Sequence, residues 1–233
     1  MFKFVLSLVC LFVLTVYAND TALQAFKNKD YKKAFELYSK NAKDGDLIAQ
    51  NALSYLYFNG LGVAKDSKEG LFWLTKAANQ SNSIAQYDLG MMYLSGYNVK
   101  QNDKAAFKWL NKASDLDNTE AKYNLALMYY QGRATDINVT KTAQLLEYIA
   151  KKGHKKAKQN IGRIYMQLIK FDKAIYWLEK NAAENDETAY YLLAEIYCSE
   201  EKFVKAKKWA KKSMESGNLT AKELWDKYNL KKY

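Results

Sequence analysis

The stretch Ala85-Gln-Tyr-Asp-Leu89-Gly90-Met-Met-Tyr93 sets an alanine, a leucine, a glycine and a tyrosine on one helical face, because a helix turns once in about 3.6 residues. The same register returns along the chain. Alanine recurs at Ala49, Ala85, Ala121, Ala157, Ala189 and Ala221, at intervals of 36, 36, 36, 32 and 32 residues. Eight residues after the first five stand Tyr57, Tyr93, Tyr129, Tyr165 and Tyr197. Five residues after them stand Ser54, Gly90, Ala126, Gly162 and Ala194, small enough to let a neighbouring helix approach closely. A fixed period in this range marks stacked supersecondary units.

A second helix completes each unit. Fifteen residues before each alanine lie Ala34, Gly70, Ala106, Thr142, Ala174 and Ala206, followed three residues on by Leu37, Trp73, Trp109, Leu145, Trp177 and Trp209. Ala106, Trp109, Leu110 and Ala113 have the spacing of an amphipathic stripe. Gly60-Leu-Gly62-Val63 and Gly96-Tyr-Asn98-Val99 fall between the two helices, where glycine or asparagine suits the left-handed conformation that ends a helix. Asp66 and Asn102 then stand at the expected N-caps. The prediction is an all-α solenoid of helix-turn-helix repeats starting at 49, 85, 121, 157 and 189. Residues 20–46 form a cap, and 221–233 a closing helix covering the last unit with Leu224, Trp225 and Tyr228. The tryptophans read as core, since truncating a buried one typically costs about 3–5 kcal/mol.

The pattern Ala-x3-Leu-Gly-x2-Tyr-x2-Gly, then Gly-Val, Asp, Lys-Ala and Trp-x3-Ala-Ala, resembles the Sel-one-like repeat, a relative of the tetratricopeptide repeat. Residues 85–120 carry it best and 49–84 nearly as well. In 121–156 the loop lacks Gly-Val and Leu145 replaces the tryptophan, while the last two units are four residues shorter and resemble plain tetratricopeptide repeats. The resemblance implies a right-handed superhelix whose first helices line a concave face. It also implies a scaffold that assembles complexes at the cell envelope or meets host proteins.

Residues 1–18 read differently. Lys3 precedes an apolar run from Phe4 to Val16, and Val16-Tyr17-Ala18 offers a signal-peptidase cut before Asn19. The run is short of the roughly 20 residues that span a bilayer. The expectation is an exported protein, periplasmic or secreted and most simply bacterial, with the endoplasmic reticulum lumen as the alternative. Residues 19–233 then form a single repeat domain, expected to be monomeric. Cleavage removes Cys10 and leaves Cys198 alone, so stability must come from packing. Proline is absent from the chain, which argues against a flexible linker.

The net charge is +11, with basic clusters at Lys151, Lys152, Lys155, Lys156 and Lys158 and at Lys205, Lys207, Lys208, Lys211 and Lys212. Export and the lack of a nucleic-acid motif argue against nucleic acid as the partner. An anionic envelope surface fits better, against the plainer reading of a solvated lysine-rich face. Catalytic chemistry finds little support. The sole histidine, His154, has no metal-ligand motif around it, and no metal or cofactor is expected. Ser199-Glu-Glu-Lys202 matches the Ser-x-x-Lys pattern of penicillin-recognising enzymes, but their Ser-Asp-Asn and Lys-Thr-Gly companions are missing.

Carried residue by residue, the resemblance places Asn51, Tyr55, Tyr87, Asp88, Met91, Tyr123, Asn124, Leu127, Tyr130, Asn160, Arg163 and Tyr191 in the concave groove. Asn124 and Asn160 would form a ladder able to hydrogen-bond an extended peptide. Tyrosine, methionine and arginine are enriched at interfaces, although tyrosines here could also cover inter-repeat seams. The favoured function is a non-enzymatic exported adaptor binding a protein or peptide. The alternatives are a peptidoglycan- or β-lactam-interacting envelope protein and an anionic-surface binder working through the lysine clusters.

Overall fold

The computed structural model describes residues 20–233, and these are helical with no strand among them. The proposed leader and its cut after Ala18 lie outside the described residues. Residues 20–27 form α1. There follow α2 (Tyr31–Lys43), α3 (Leu47–Asn59), α4 (Ser67–Asn79), α5 (Ser83–Ser95), α6 (Asp103–Asp115), α7 (Thr119–Gln131) and α8 (Val139–Lys151). Then come α9 (Lys155–Gln167), α10 (Phe171–Ala183), α11 (Glu187–Ser199), α12 (Phe203–Glu215) and α13 (Thr220–Lys227). The closing segment is not one helix: α13 stops at Lys227, Asn229 turns left-handed, and a 3-10 turn covers Leu230–Lys232. No helix among the described residues is long and apolar enough to cross a membrane. The chain forms two compact units, the first ending at Ala121 and the second running from Lys122 to Tyr233.

Within each unit consecutive helices pack on one another, as a solenoid requires. The alanine register is the reason. Ala49, Ala85, Ala121, Ala157, Ala189 and Ala221 are all buried to 1% exposure or less. A Cβ added at Gly90 would stand 2.8 Å from Leu110 Cγ, and one at Gly162 would stand 2.6 Å from Leu178 Cδ2, so these steps must be nearly bare. Trp73 and Trp177 are buried in the core, while Trp109 and Trp209 are half-buried. Each carries a lysine ammonium from three residues on: Lys76, Lys112, Lys180 and Lys212 lie 4.9, 4.4, 5.4 and 5.4 Å from the ring centroids. The rings bury one side and present the other to a cation.

Polar side chains fix the stacking. Asp66 accepts from the backbone N–H groups of Lys68 and Glu69, and Asn102 from that of Ala105, as N-caps should. A second set of caps sits three residues before the register alanines. Asp46, Asn82, Asn118 and His154 accept from the N–H groups of Ala49, Ala85, Ala121 and Ala157 at 2.8, 2.9, 2.9 and 3.2 Å. Asn82 and Asn118 also donate to the Leu47 and Ser83 carbonyls, which ties one repeat to the next. The fully buried Gln50 donates to the Ala42 carbonyl, and Gln86 repeats that bond to Ala78.

Each long inter-helix turn has two left-handed residues: a glycine at 60, 96 and 132, and at the equivalent positions 62, 98 and 134 Gly62, Asn98 and Ala134 with φ of 72°, 58° and 61°. At Gly62 a Cβ would lie 2.0 Å from the Tyr31 carbonyl oxygen, so only glycine fits. Asn98 instead accepts from the Ser67 hydroxyl at 3.0 Å. In the second unit Cys198 is a free thiol buried to 2% exposure.

Candidate binding site

The first unit holds an apolar pocket of about 500 Å³. Its floor is made by the buried Tyr38, Phe58, Leu74 and Met92. Its mouth is made by Leu23, Tyr55 and Tyr97, which stay 41%, 52% and 55% exposed. Phe26, on α1, closes one wall and meets Tyr55 edge to face, with centroids 6.0 Å apart. Besides its tyrosines, four polar residues line this basin; Ser54 and Asn59 donate to carbonyls of their own helix, and Asn51 and Asp88 pair. Asn51 on α3 donates its amide to the carboxylate of Asp88 on the next first helix, α5. Burial pushes the Asp88 carboxyl above its ordinary value, and the Asn51 bond only partly offsets this. No lysine or arginine among the described residues pairs with it.

Three of the residues predicted for the groove therefore converge: Asn51, Tyr55 and Asp88 line one pocket. Tyr87 and Met91, on the same helix, do not line it. Among the residues that the sequence reading missed are Leu23 and Phe26 on the N-terminal cap, Leu74 on a second helix and Tyr97 in a long turn. Helical period could not place them, because they enter from other elements.

In the second unit the predicted residues separate into two groups. Tyr123 stacks on His154 at 5.0 Å between ring centroids, with planes 24° apart. Its hydroxyl accepts from the Asn160 amide at 3.2 Å, and that amide also donates to the Lys156 carbonyl. Both donors of Asn160 are thus turned to this chain, which leaves the predicted peptide ladder only its carbonyl there. Asn124 and Leu127 are half-buried on α7 and Tyr130 is exposed. Arg163 and Tyr191 meet in a separate polar cavity of about 410 Å³, with Glu187 and Asn218 beside them.

The lysine clusters are largely engaged. Lys151 pairs with Glu147 and Lys158 with Glu184, while Lys152 lies 4.8 Å from the Tyr148 ring centroid and Lys156 6.0 Å from that of Tyr123. Lys155 and Lys158 share a cavity with Glu184, Asp186 and Glu187, so acidic groups interrupt the first cluster. In the second, Lys207 lies over Trp225, Lys208 and Lys212 lie over Trp209, and Lys211 faces Glu215 at 3.9 Å. Lys205 lies over Tyr197. At the Ser-x-x-Lys match the Ser199 hydroxyl donates to its own helix at the Ile196 carbonyl, 2.7 Å away, and Lys202 pairs with Glu200. Neither group is arranged to activate a nucleophile. Among the described residues no three His, Cys, Asp or Glu side chains are grouped to hold a metal ion.

The stacked pairs of thirteen-residue helices define a helical repeat protein of the solenoid class. The Sel1 repeat model matches residues 25–46, 47–82, 83–118, 119–154 and 169–186, more than half of the chain, and the chain belongs to the Sel1 repeat family. It is similar to a Sel1 repeat protein from Oxalobacter formigenes, with 28% identity, a TM-score of 0.70, and coverage of 88% of this chain and 87% of that one. It is also similar to c5321, a protective antigen of uropathogenic Escherichia coli with the same repeat fold, at 25% identity and a TM-score of 0.54 over 92% of this chain and 56% of that one. A likeness of fold alone extends to the Naa15/Naa10 complex bound to HypK-THB, at 15% identity and a TM-score of 0.58 over 92% of this chain and 33% of that one. No curated protein matches by sequence. Repeats of this family are typically protein-interaction scaffolds without enzymatic activity, and the chain fits that general role.

Proposed function

We propose that this protein is an exported, non-enzymatic adaptor that holds a polypeptide partner on the first helices of its repeats. The observation that carries the reading is the apolar pocket of about 500 Å³ between α3 and α5, with one convergent polar pair inside it. A concave, mostly apolar site with few placed polar groups is the usual form of a binding site. Export rests on the leader-like residues 1–18, and the likeness to a protective antigen supports a place in the envelope or at the host interface.

A photo-crosslinking residue at Tyr55, with Lys222 on α13 as the control position, tests the adaptor reading in cells. A discrete partner band from Tyr55 and none from Lys222 is the expected result, and equal labelling or no band at either position ends the reading. Export is tested separately by the mass of the protein from the envelope fraction, which should begin at Asn19.

A further inference from the structure

Asp88 poses a physical question that the adaptor role alone leaves open. The chain carries 36 lysines and arginines against 25 acidic residues, so cations are abundant. Several other carboxylates meet one: Glu147 is held by Lys151 and Lys173, Glu184 by Lys158, and Glu200 by Lys202. Asp88 instead stands half-buried in an apolar basin with a single neutral donor from Asn51. A carboxylate offers about four acceptor positions, and one amide bond satisfies only a fraction of them. Three rings, Phe26 in one wall and Tyr55 and Tyr97 at the mouth, line the same pocket. Removing a charge from water without a counter-charge is unfavourable, so the free protein is the worse for it.

We propose that the first-unit pocket takes an arginine side chain of the polypeptide partner, its guanidinium on the Asp88 carboxylate and its plane against the aromatic rings that line the pocket. The proposal rests on the adaptor reading and names the chemistry of its partner. Charge complementarity selects a cation. The rings and the carboxylate together select arginine over lysine, because a planar guanidinium both forms paired N–H donations to a carboxylate and stacks on aromatic faces. The pocket volume also leaves room for apolar residues flanking that arginine on the Leu74 and Met92 floor.

The test uses the full chain and two synthetic probes, acetyl-Leu-Arg-Leu-amide and the same peptide with citrulline, which keeps the shape and removes the charge. Titration calorimetry should show the arginine peptide binding about tenfold or more tightly than the citrulline peptide, as a charged hydrogen-bonded pair implies. Asp88→Asn should erase that difference, and Tyr55→Ala should weaken the arginine peptide. Equal affinity for the two peptides, absence of saturable arginine binding, or discrimination that survives in Asp88→Asn would overturn the proposal. Crosslinking from Tyr55 separates its failure from that of the adaptor reading. A partner band undiminished by Asp88→Asn removes the arginine and leaves the adaptor. No band from position 55 with Asp88 intact, with peptide discrimination retained in the same crosslinker-bearing chain, keeps the arginine site and removes the adaptor.

Discussion

Asp88 on α5 and Glu147 on α8 are both half-buried carboxylates on repeat helices, one in each unit, and their surroundings differ in kind. Burial pushes the Glu147 carboxyl up, but hydrogen bonds from Tyr165, Lys151 and Lys173, with the Lys173 charge, outweigh it and hold the group below its ordinary value. At Asp88 burial wins, because one amide is all that opposes it. A carboxylate closed by its own neighbours is part of the scaffold. One left with acceptor capacity inside an apolar basin costs stability, and natural proteins retain such costs where function needs them.

The largest expected effect comes from Glu147→Gln. Charged hydrogen bonds to Tyr165 and Lys173 are lost together, and urea denaturation at neutral pH should show a loss of about 2 kcal/mol. Since the folded carboxyl sits below the unfolded value near 4.5, that contribution is present above the unfolded value and fades as pH falls through the folded one. A loss unchanged down to strongly acidic pH would mean the network is not what stabilises the second unit.

Asp88→Asn should move the other way. The folded carboxyl titrates above the ordinary 3.8, so the native state holds its proton more tightly, and its ionisation costs stability as pH rises through that window. The variant should gain on the order of 1 kcal/mol at neutral pH, with the gain vanishing in acid below the ordinary value. A melting temperature lower than that of the parent at neutral pH would erase the contrast between the two carboxylates. Tyr165→Phe probes the Glu147 network more gently, and about 1 kcal/mol should be lost in the same assay. The smallest effect compares turns: Ala134→Gly, in the second unit, should stabilise by about 0.5 kcal/mol, because alanine is strained where Gly62 is at ease.

The register alanines, the bare steps at Gly90 and Gly162, and the caps Asp66 and Asn102 could be read directly, because each is fixed by helical period or by chemistry within a few residues. The caps at Asp46, Asn82, Asn118 and His154 share the register too, yet a histidine cap hides the series from a search for aspartate, asparagine, serine and threonine. At the pocket, Asn51, Tyr55 and Asp88 were legible as residues on groove-facing steps. Their convergence was not, since it depends on Phe26, Leu74 and Tyr97 arriving from three other elements. Asn160 illustrates the converse: its step predicts an open amide, and only packing reveals that Tyr123 and the Lys156 carbonyl accept from it.

Cys198 has a use that its burial creates. It is the one thiol among residues 20–233, and burial with the nearby Glu195 charge pushes it up, away from the reactive thiolate. An alkylating reagent can therefore mark it efficiently only in molecules whose second unit has opened. The labelling rate is a stopwatch for that event, read without any engineered probe, and it times the breathing of one half of the protein while the other half goes unrecorded.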